Sequence, residues 1–188
     1  MGNSATRKKA AYFRQKQIRA KVPCLIQPGN ACPRFIADVM LGRLAKWLRI
    51  AGFDVLYSNK YTDNELVEIS NREGRVLLSR DTRLLVRKSV KEFIFLESQN
   101  VQVQIKQVFN AMHVFDLSLS LTRCLSCNEA LVETARDSVR EKVPPFVYKT
   151  QSRFKSCPKC GKIFWAGTHR NAVIQTLEKL VHETENNK

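Results

Sequence analysis

From residue 34 to residue 112, strand-like apolar runs alternate with runs of helical period. No other feature of the chain constrains its fold as strongly. Residues 34–39 read as a short strand ending near Asp38. Leu41, Leu44, Ala45, Leu48 and Ala51 then recur at helical spacing over 41–51, and Gly52 stops the run. DVLYS (54–58) is a second strand, and TDNELVEISNREG predicts a helix over about 63–73 closed by Gly74. RVLLS (75–79) is a third strand, followed by a short helix over 82–88. EFIFLES (92–98) is a fourth strand, and Val101, Ile105, Val108, Phe109 and Met112 share one face of a helix over 101–112. Strict alternation predicts an α/β fold, a parallel sheet flanked by helices.

Parallel sheets of this kind bind ligands beyond the carboxyl ends of their strands. Asp38 ends the first strand and Asp81 follows the third, so topology carries both acids to one edge. Asp63 and Glu65 follow the second strand at the same edge. Thr62 and Glu65 have capping-box spacing, and Asp63 suits a first helical turn, so capping accounts for either acid as well as a site does. Asp63 is preferred as the third site acid because the box does not need it. Glu97 ends the fourth strand and is a lesser candidate; Asp54 begins the second strand, at the opposite edge, and is excluded. Clustered carboxylates repel, and a hard divalent cation such as Mg²⁺ or Mn²⁺ resolves this by taking oxygen ligands. Arg43, Lys46 and Arg49 lie on the helix after Asp38. The first two can reach a phosphate backbone or form an ordinary solvated face, while Trp47 reads as a packing residue.

The cysteines define a second unit. Cys124-x2-Cys127 and Cys157-x2-Cys160 form two knuckles, the spacing of a tetrahedral Cys₄ zinc site with no open position. Two disulfides are the alternative, but no secretory signal pattern opens the chain. The insert between the knuckles is long, so longer strands are expected there. Phe146, Tyr148 and Phe154 are expected to pack this unit rather than touch RNA. His169 is a candidate nucleic-acid contact or structural donor and is not needed as a ligand. Ile174, Leu177 and Val181 mark one face of a terminal helix over 171–182. Cys24 and Cys32 are expected to be free thiols.

Lys plus Arg number 32 against 17 Asp plus Glu, a net charge of +15 that points to a polyanionic partner. Residues 1–23 carry Arg7, Lys8, Lys9, Arg14, Lys16, Arg19 and Lys21 with no acid, the pattern of a phosphate-contacting arm or a solvated terminus. An organellar presequence and a myristoylation pattern at Gly2 and Thr6 are weaker fits to the same stretch. No apolar run approaches the roughly 20 residues of a membrane span, so no membrane partner is expected and cytoplasmic location is the default. GxGxxG and GxxxxGK[ST] are absent, and Ser79 has no histidine near it in sequence, which argues against dinucleotide, P-loop and triad chemistry. A phosphoacceptor receiver also gathers acids at strand ends. It usually pairs acids after strand one and has a lysine after the last strand; neither is evident here.

The runs ADVMLGRLAKWLRIAGFDVLY, TDNEL and LLSRDTRLL, the knuckles RCLSCN and CPKCGKIFW, and the WAGTH after them resemble the Mut-seven-C family of PIN-like proteins. The resemblance runs from about Arg34 to His169. It implies a PIN-like ribonuclease domain followed by a small β zinc ribbon. It also implies metal-dependent RNase activity from Asp38, Asp63 and Asp81, with Glu65 as near neighbour and Arg80 beside the last acid. Ser79 stands where family members often carry threonine. The expected organisation is a basic N-terminal arm (1–33), a PIN-like domain (34–116), a zinc ribbon (117–170), and a terminal helix and tail (171–188). The expected function is hydrolysis of RNA phosphodiesters at a Mg²⁺ or Mn²⁺ site (Asp38, Asp63, Asp81), with Arg43, Lys46 and Arg80 on the nucleic acid. Structural Zn²⁺ would sit on Cys124, Cys127, Cys157 and Cys160. The alternative is a non-catalytic RNA-binding module with a ribosomal, tRNA or protein partner.

Overall fold

The computed structural model describes residues 11–13, 16, 32–113, 116–167 and 169–185. Four parallel strands form the main sheet: β1 (Phe35–Ala37), β2 (Val55–Tyr57), β3 (Val76–Ser79) and β4 (Phe93–Phe95), in the order β2-β1-β3-β4. Helices α1 (Gly42–Ile50), α2 (Asp63–Glu73), α3 (Thr82–Leu85) and α4 (Val101–Met112) follow the strands in turn. The predicted order of elements is therefore the observed one. Each strand starts one residue later than predicted and ends none to three residues earlier, and α3 ends at Leu85 rather than Lys88. A 3-10 turn over Val39–Leu41 joins β1 to α1.

The strands bury alternate side chains in two cores, as a two-residue period requires. Phe35, Ala37, Val76 and Leu78 face one layer with α1 and α4. Ile36 and Leu77 face the other with Leu66, Val67, Leu84 and Leu85 of α2 and α3. Trp47 packs, partly buried, against the first core, as expected. Phe13 is fully buried in the second, its ring centroid 4.9 Å from that of Phe95 and 6.2 Å from that of Phe93. Phe13 and Lys16 belong to the basic segment. Arg7, Lys8, Lys9, Arg14, Arg19, Lys21 and Cys24 lie outside the described residues.

A second, antiparallel sheet holds β5 (Val132–Thr134), β6 (Phe154–Ser156) and β7 (Ile163–Trp165) in that order. The long insert does not lengthen these strands, which have three residues each. It forms a 3-10 turn (Arg136–Val139) and helix α5 (Pro145–Thr150) instead. Pro144 and Pro145 cannot donate to a ladder, and Pro145 is suited to the first turn of a helix, so VPPFVYK leaves the sheet. Phe154 packs with Val139 and Val143, and Tyr148 packs partly against them, as expected. Phe146 does not: its surface is 75% exposed.

Helix α6 (His169–Glu185) closes the chain. Leu177, Leu180 and Val181 are buried in the first core of the main sheet, while Ile174 is only half-buried. Lys106 of α4 pairs with Glu183 of α6 at 3.1 Å. The last helix in sequence thus packs on the first unit in space. No helix among the described residues is long and apolar enough to cross a membrane.

Candidate active site and cysteine cluster

The strand order creates a switch point. From β1 the chain moves outward to β2, and from β3 it moves the other way to β4, so the β1 and β3 ends flank the crevice where ligands of α/β sheets bind. Asp38 and Asp81 stand there. Asp38 continues the ladder, its amide donating to the Leu78 carbonyl at 3.0 Å. Its side chain is buried, 4% exposed, and accepts a 2.6 Å hydrogen bond from Ser79 Oγ. The same Ser79 oxygen accepts from the Asp81 amide at 2.9 Å. Ser79 therefore ties the ends of the two central strands together. Asp81 caps α3, one oxygen accepting from the Arg83 amide at 2.7 Å.

Asp63 and Glu65 are engaged differently. Asp63 begins α2 and pairs with Arg87 at 2.6 Å, while Arg87 also donates to Asn64. Glu65 completes the capping box. Its Oε2 accepts from the Thr62 amide and hydroxyl at 2.7 and 2.8 Å, and its own amide donates to Thr62 Oγ1. The Thr62 amide holds the Glu65 carboxyl below its usual range. The structure links Asp38 to Asp81 through Ser79, pairs Asp63 with Arg87, and accounts for Glu65 by the cap. Among the described residues, the acids at this edge do not form a group of three or more donors able to hold one ion.

Basic residues follow each of the two linked acids in the chain. Arg43 and Lys46 are exposed on α1. Arg80 is half-buried, and its buried Nε has no hydrogen-bond partner. Gly42 starts α1 where a Cβ would lie 2.7 Å from Tyr57 Oη. Only glycine leaves room for Tyr57, which donates to the Val39 carbonyl at 2.9 Å and pins the turn that carries Asp38.

The four cysteines do meet. Their sulfurs all lie within 4.8 Å of one another, and Cys124 and Cys160 Sγ are 3.7 Å apart. Tetrahedral ligands at a Zn–S length of ~2.3 Å would be ~3.8 Å apart. A disulfide needs about 2.05 Å, so this spacing fits a shared ion and not that bond. Four such thiols can hold a metal such as zinc. Without a cation they do not all ionise: the Lys162 amide brings Cys160 down to about 7, while hydrogen bonding to Cys160 pushes Cys127 up.

The two knuckles fold alike. In each, the residue after the second cysteine is left-handed: Asn128 at φ 67° and Gly161 at φ 69°. Glycine adopts this freely, and asparagine tolerates it better than most residues. Asn128 is used where it stands. It accepts from the Val55 amide at 2.9 Å and donates to Asp54 at 2.7 Å. Asp54 also pairs with Arg75 at 2.7 Å. Burial raises the Asp54 pKa, but the hydrogen bonds from Arg75 and Asn128 outweigh it and hold the carboxyl below its usual range. Asp54 thus holds the opposite sheet edge together.

Arg49 makes the second tie. It is 5% exposed, donates twice to the Val55 carbonyl, at 2.8 and 3.0 Å, and reaches the Leu125 carbonyl inside the first knuckle at 2.8 Å. Arg123 adds a third, donating to the Gly52 carbonyl at 3.1 Å. The sequence alone assigns Arg49 and Asn128 no role. One signal for Arg49 is its spacing: it follows Ala45 by four residues, which puts it on the apolar side of α1.

The model of one protein family, the Mut7-C RNAse domain, matches residues 33–177. Comparison with the curated proteins and with solved structures gave no match. The match spans both sheets, the linked acids and both knuckles, and the chain belongs to the Mut7-C RNAse domain family.

Proposed function

We propose that the protein is a metal-dependent ribonuclease that hydrolyses RNA phosphodiester bonds at the carboxyl edge of its parallel sheet. The observation that carries the reading is the Asp38–Ser79–Asp81 link at the switch point of the sheet, within a chain that matches an RNAse family. Mg²⁺ and Mn²⁺ sites commonly use one or two carboxylates, with waters and substrate phosphates completing the shell. Two linked aspartates fit that donor set, and Asp63 can join them on leaving Arg87. When bound, such a cation supplies Lewis acidity to the phosphate and a water of lowered pKa. Ser79 orients Asp38 through its hydroxyl. Arg43 and Lys46 hold the RNA backbone from α1, and the half-buried Arg80, next to Asp81 in the chain, adds a charge-assisted contact to a phosphate oxygen. Glu65 acts by fixing the start of α2, and so the position of Asp63. The cysteine unit is a zinc ribbon with a structural Zn²⁺ on Cys124, Cys127, Cys157 and Cys160, and it helps hold RNA. The cytoplasm is the expected location.

Total RNA incubated with Mn²⁺ tests this reading. Cleavage by the wild type, absent when the divalent ion is withheld and absent in Asp81→Asn, is the expected result. Undiminished cleavage by Asp81→Asn sinks it. Salt-sensitive RNA binding with no turnover under any divalent ion would favour a binding module instead.

A further inference from the structure

Two adjoining hollows, of about 430 and 380 Å³, lie between the ribbon and the start of α6 and share Trp165 and Arg170. Phe146 projects at the outer wall, and its exposure is unusual. Burial stabilises a phenylalanine, and this side chain forgoes that gain. Trp165 is 39% exposed at the end of β7. Arg153, Lys155 and Arg170 line the second hollow with Trp165, and Arg170 also lines the first with Phe146. The one acid lining the second hollow, Glu133, is paired with Lys155 at 3.7 Å.

Exposed rings inside a basic rim are what an unpaired nucleic-acid strand requires: faces on which bases stack, and cations for its phosphates. A buried apolar peptide segment would call for the rings without the bases. The groove is also joined to the acid edge. Ile50, at the end of α1, lines the first hollow. Arg43, Lys46, Trp47 and Ile50 follow one another at i, i+3, i+4 and i+7, which makes a single stripe on α1. That stripe runs about 10 Å along α1, from the helix end that follows Asp38 in the chain to the end that lines the groove.

We propose that this groove binds unstacked bases of single-stranded RNA, with Phe146 and Trp165 as stacking faces, and that the strand reaches Asp38 along the Arg43–Lys46 stripe. The proposal names the substrate class of the ribonuclease read above and rests on that reading for the role of the acid edge. Binding itself needs no turnover.

The test uses the zinc-loaded full chain carrying Asp38→Asn/Asp81→Asn, without added Mg²⁺ or Mn²⁺. Fluorescence anisotropy follows a labelled oligouridylate and, separately, an RNA duplex of equal length. Phe146→Ala should weaken oligouridylate binding by about fivefold or more and leave duplex binding unchanged. Phe146→Trp should retain affinity, which separates stacking from any loss of fold. Arg170→Gln should reduce the dependence of log affinity on log salt by about 0.7. Equal oligouridylate affinity with and without the Phe146 ring would overturn the proposal. So would an absence of RNA binding at low salt, which would assign the groove to a protein partner. Ring-dependent binding in a protein that never cleaves RNA would refute the ribonuclease reading and leave the groove standing.

Discussion

Asn128 shows how one residue can join two structural tasks. Its left-handed backbone turns the first knuckle, and its amide ties that knuckle to Val55 and Asp54. Asn128→Gly should keep the turn and lose the ties. Asn128→Ala should lose both and be less stable than the glycine variant by about 1 kcal/mol, read by urea unfolding. Asp54 has a sharper consequence. Arg75 is 6% exposed and also pairs with Glu73, so Asp54→Ala removes one of its two carboxylate partners and should cost about 2 kcal/mol. The Asp54 carboxyl titrates below its unfolded value of 3.8. Its stabilisation is therefore fully present above that value and is lost as the pH falls through the lower, folded value. Asp54→Asn should flatten the acid limb of the stability curve in that window, measured by thermal melts from neutral to acid pH. Neither role was legible in sequence. The first depends on contacts across more than 70 residues between Asn128 and residues 54 and 55, and the second also on Arg75, 21 residues from Asp54.

At the scale of elements, local chemistry was readable wherever it was sufficient. Thr62 and Glu65 have the spacing of a capping box, and the box forms. The alternation of strands and helices predicted the parallel sheet, because each run carried its own period. Length was less legible: Leu96 to Ser98 read as strand, but β4 ends at Phe95, opposite Ser79 at the end of β3. The ribbon misled for a related reason. Its insert was expected to extend strands, yet the proline pair diverts it into α5. Helix α1 carries two chemistries on two faces. Arg43 and Lys46 face solvent, whereas Arg49 crosses to the first knuckle. Arg49→Leu should lower stability by about 3 kcal/mol through its unpaired carbonyl partners. Hydrogen exchange should show the loss first in residues 123–128. Arg43→Ala should leave stability unchanged by the same measure.

Across the whole molecule, the order of the chain is a poor guide to its units. The ribbon follows the parallel sheet in sequence, and α6 follows the ribbon, but Leu177, Leu180 and Val181 return to the first core. Arg49, Arg123 and Asn128 join the ribbon to the sheet edge away from Asp38. Removing the cysteine-bound metal should therefore reach beyond the ribbon. A single melting transition, lowered as a whole by a zinc chelator, is expected in calorimetry. A separate low transition with the main one unmoved would show the units to be independent. The two ends of the sheet thus divide the work: one edge anchors the ribbon, and the other presents the linked acids. Topology alone brought Asp38 and Asp81 to one edge in the sequence reading. What it did not reveal is that Ser79 joins them and that Asp63 is occupied by Arg87.

The ribonuclease proposed above requires Asp38 and Asp81 to bind the divalent ion on which cleavage depends. Electron paramagnetic resonance of Mn²⁺ added to the zinc-loaded protein tests it most directly, because it reads the ion and not the turnover. A bound Mn²⁺ signal is expected in the wild type. Loss of that signal is expected in Asp38→Asn/Asp81→Asn, with zinc content and melting temperature unchanged. An identical Mn²⁺ signal in the double variant would contradict it and move the metal site away from the β1 and β3 ends.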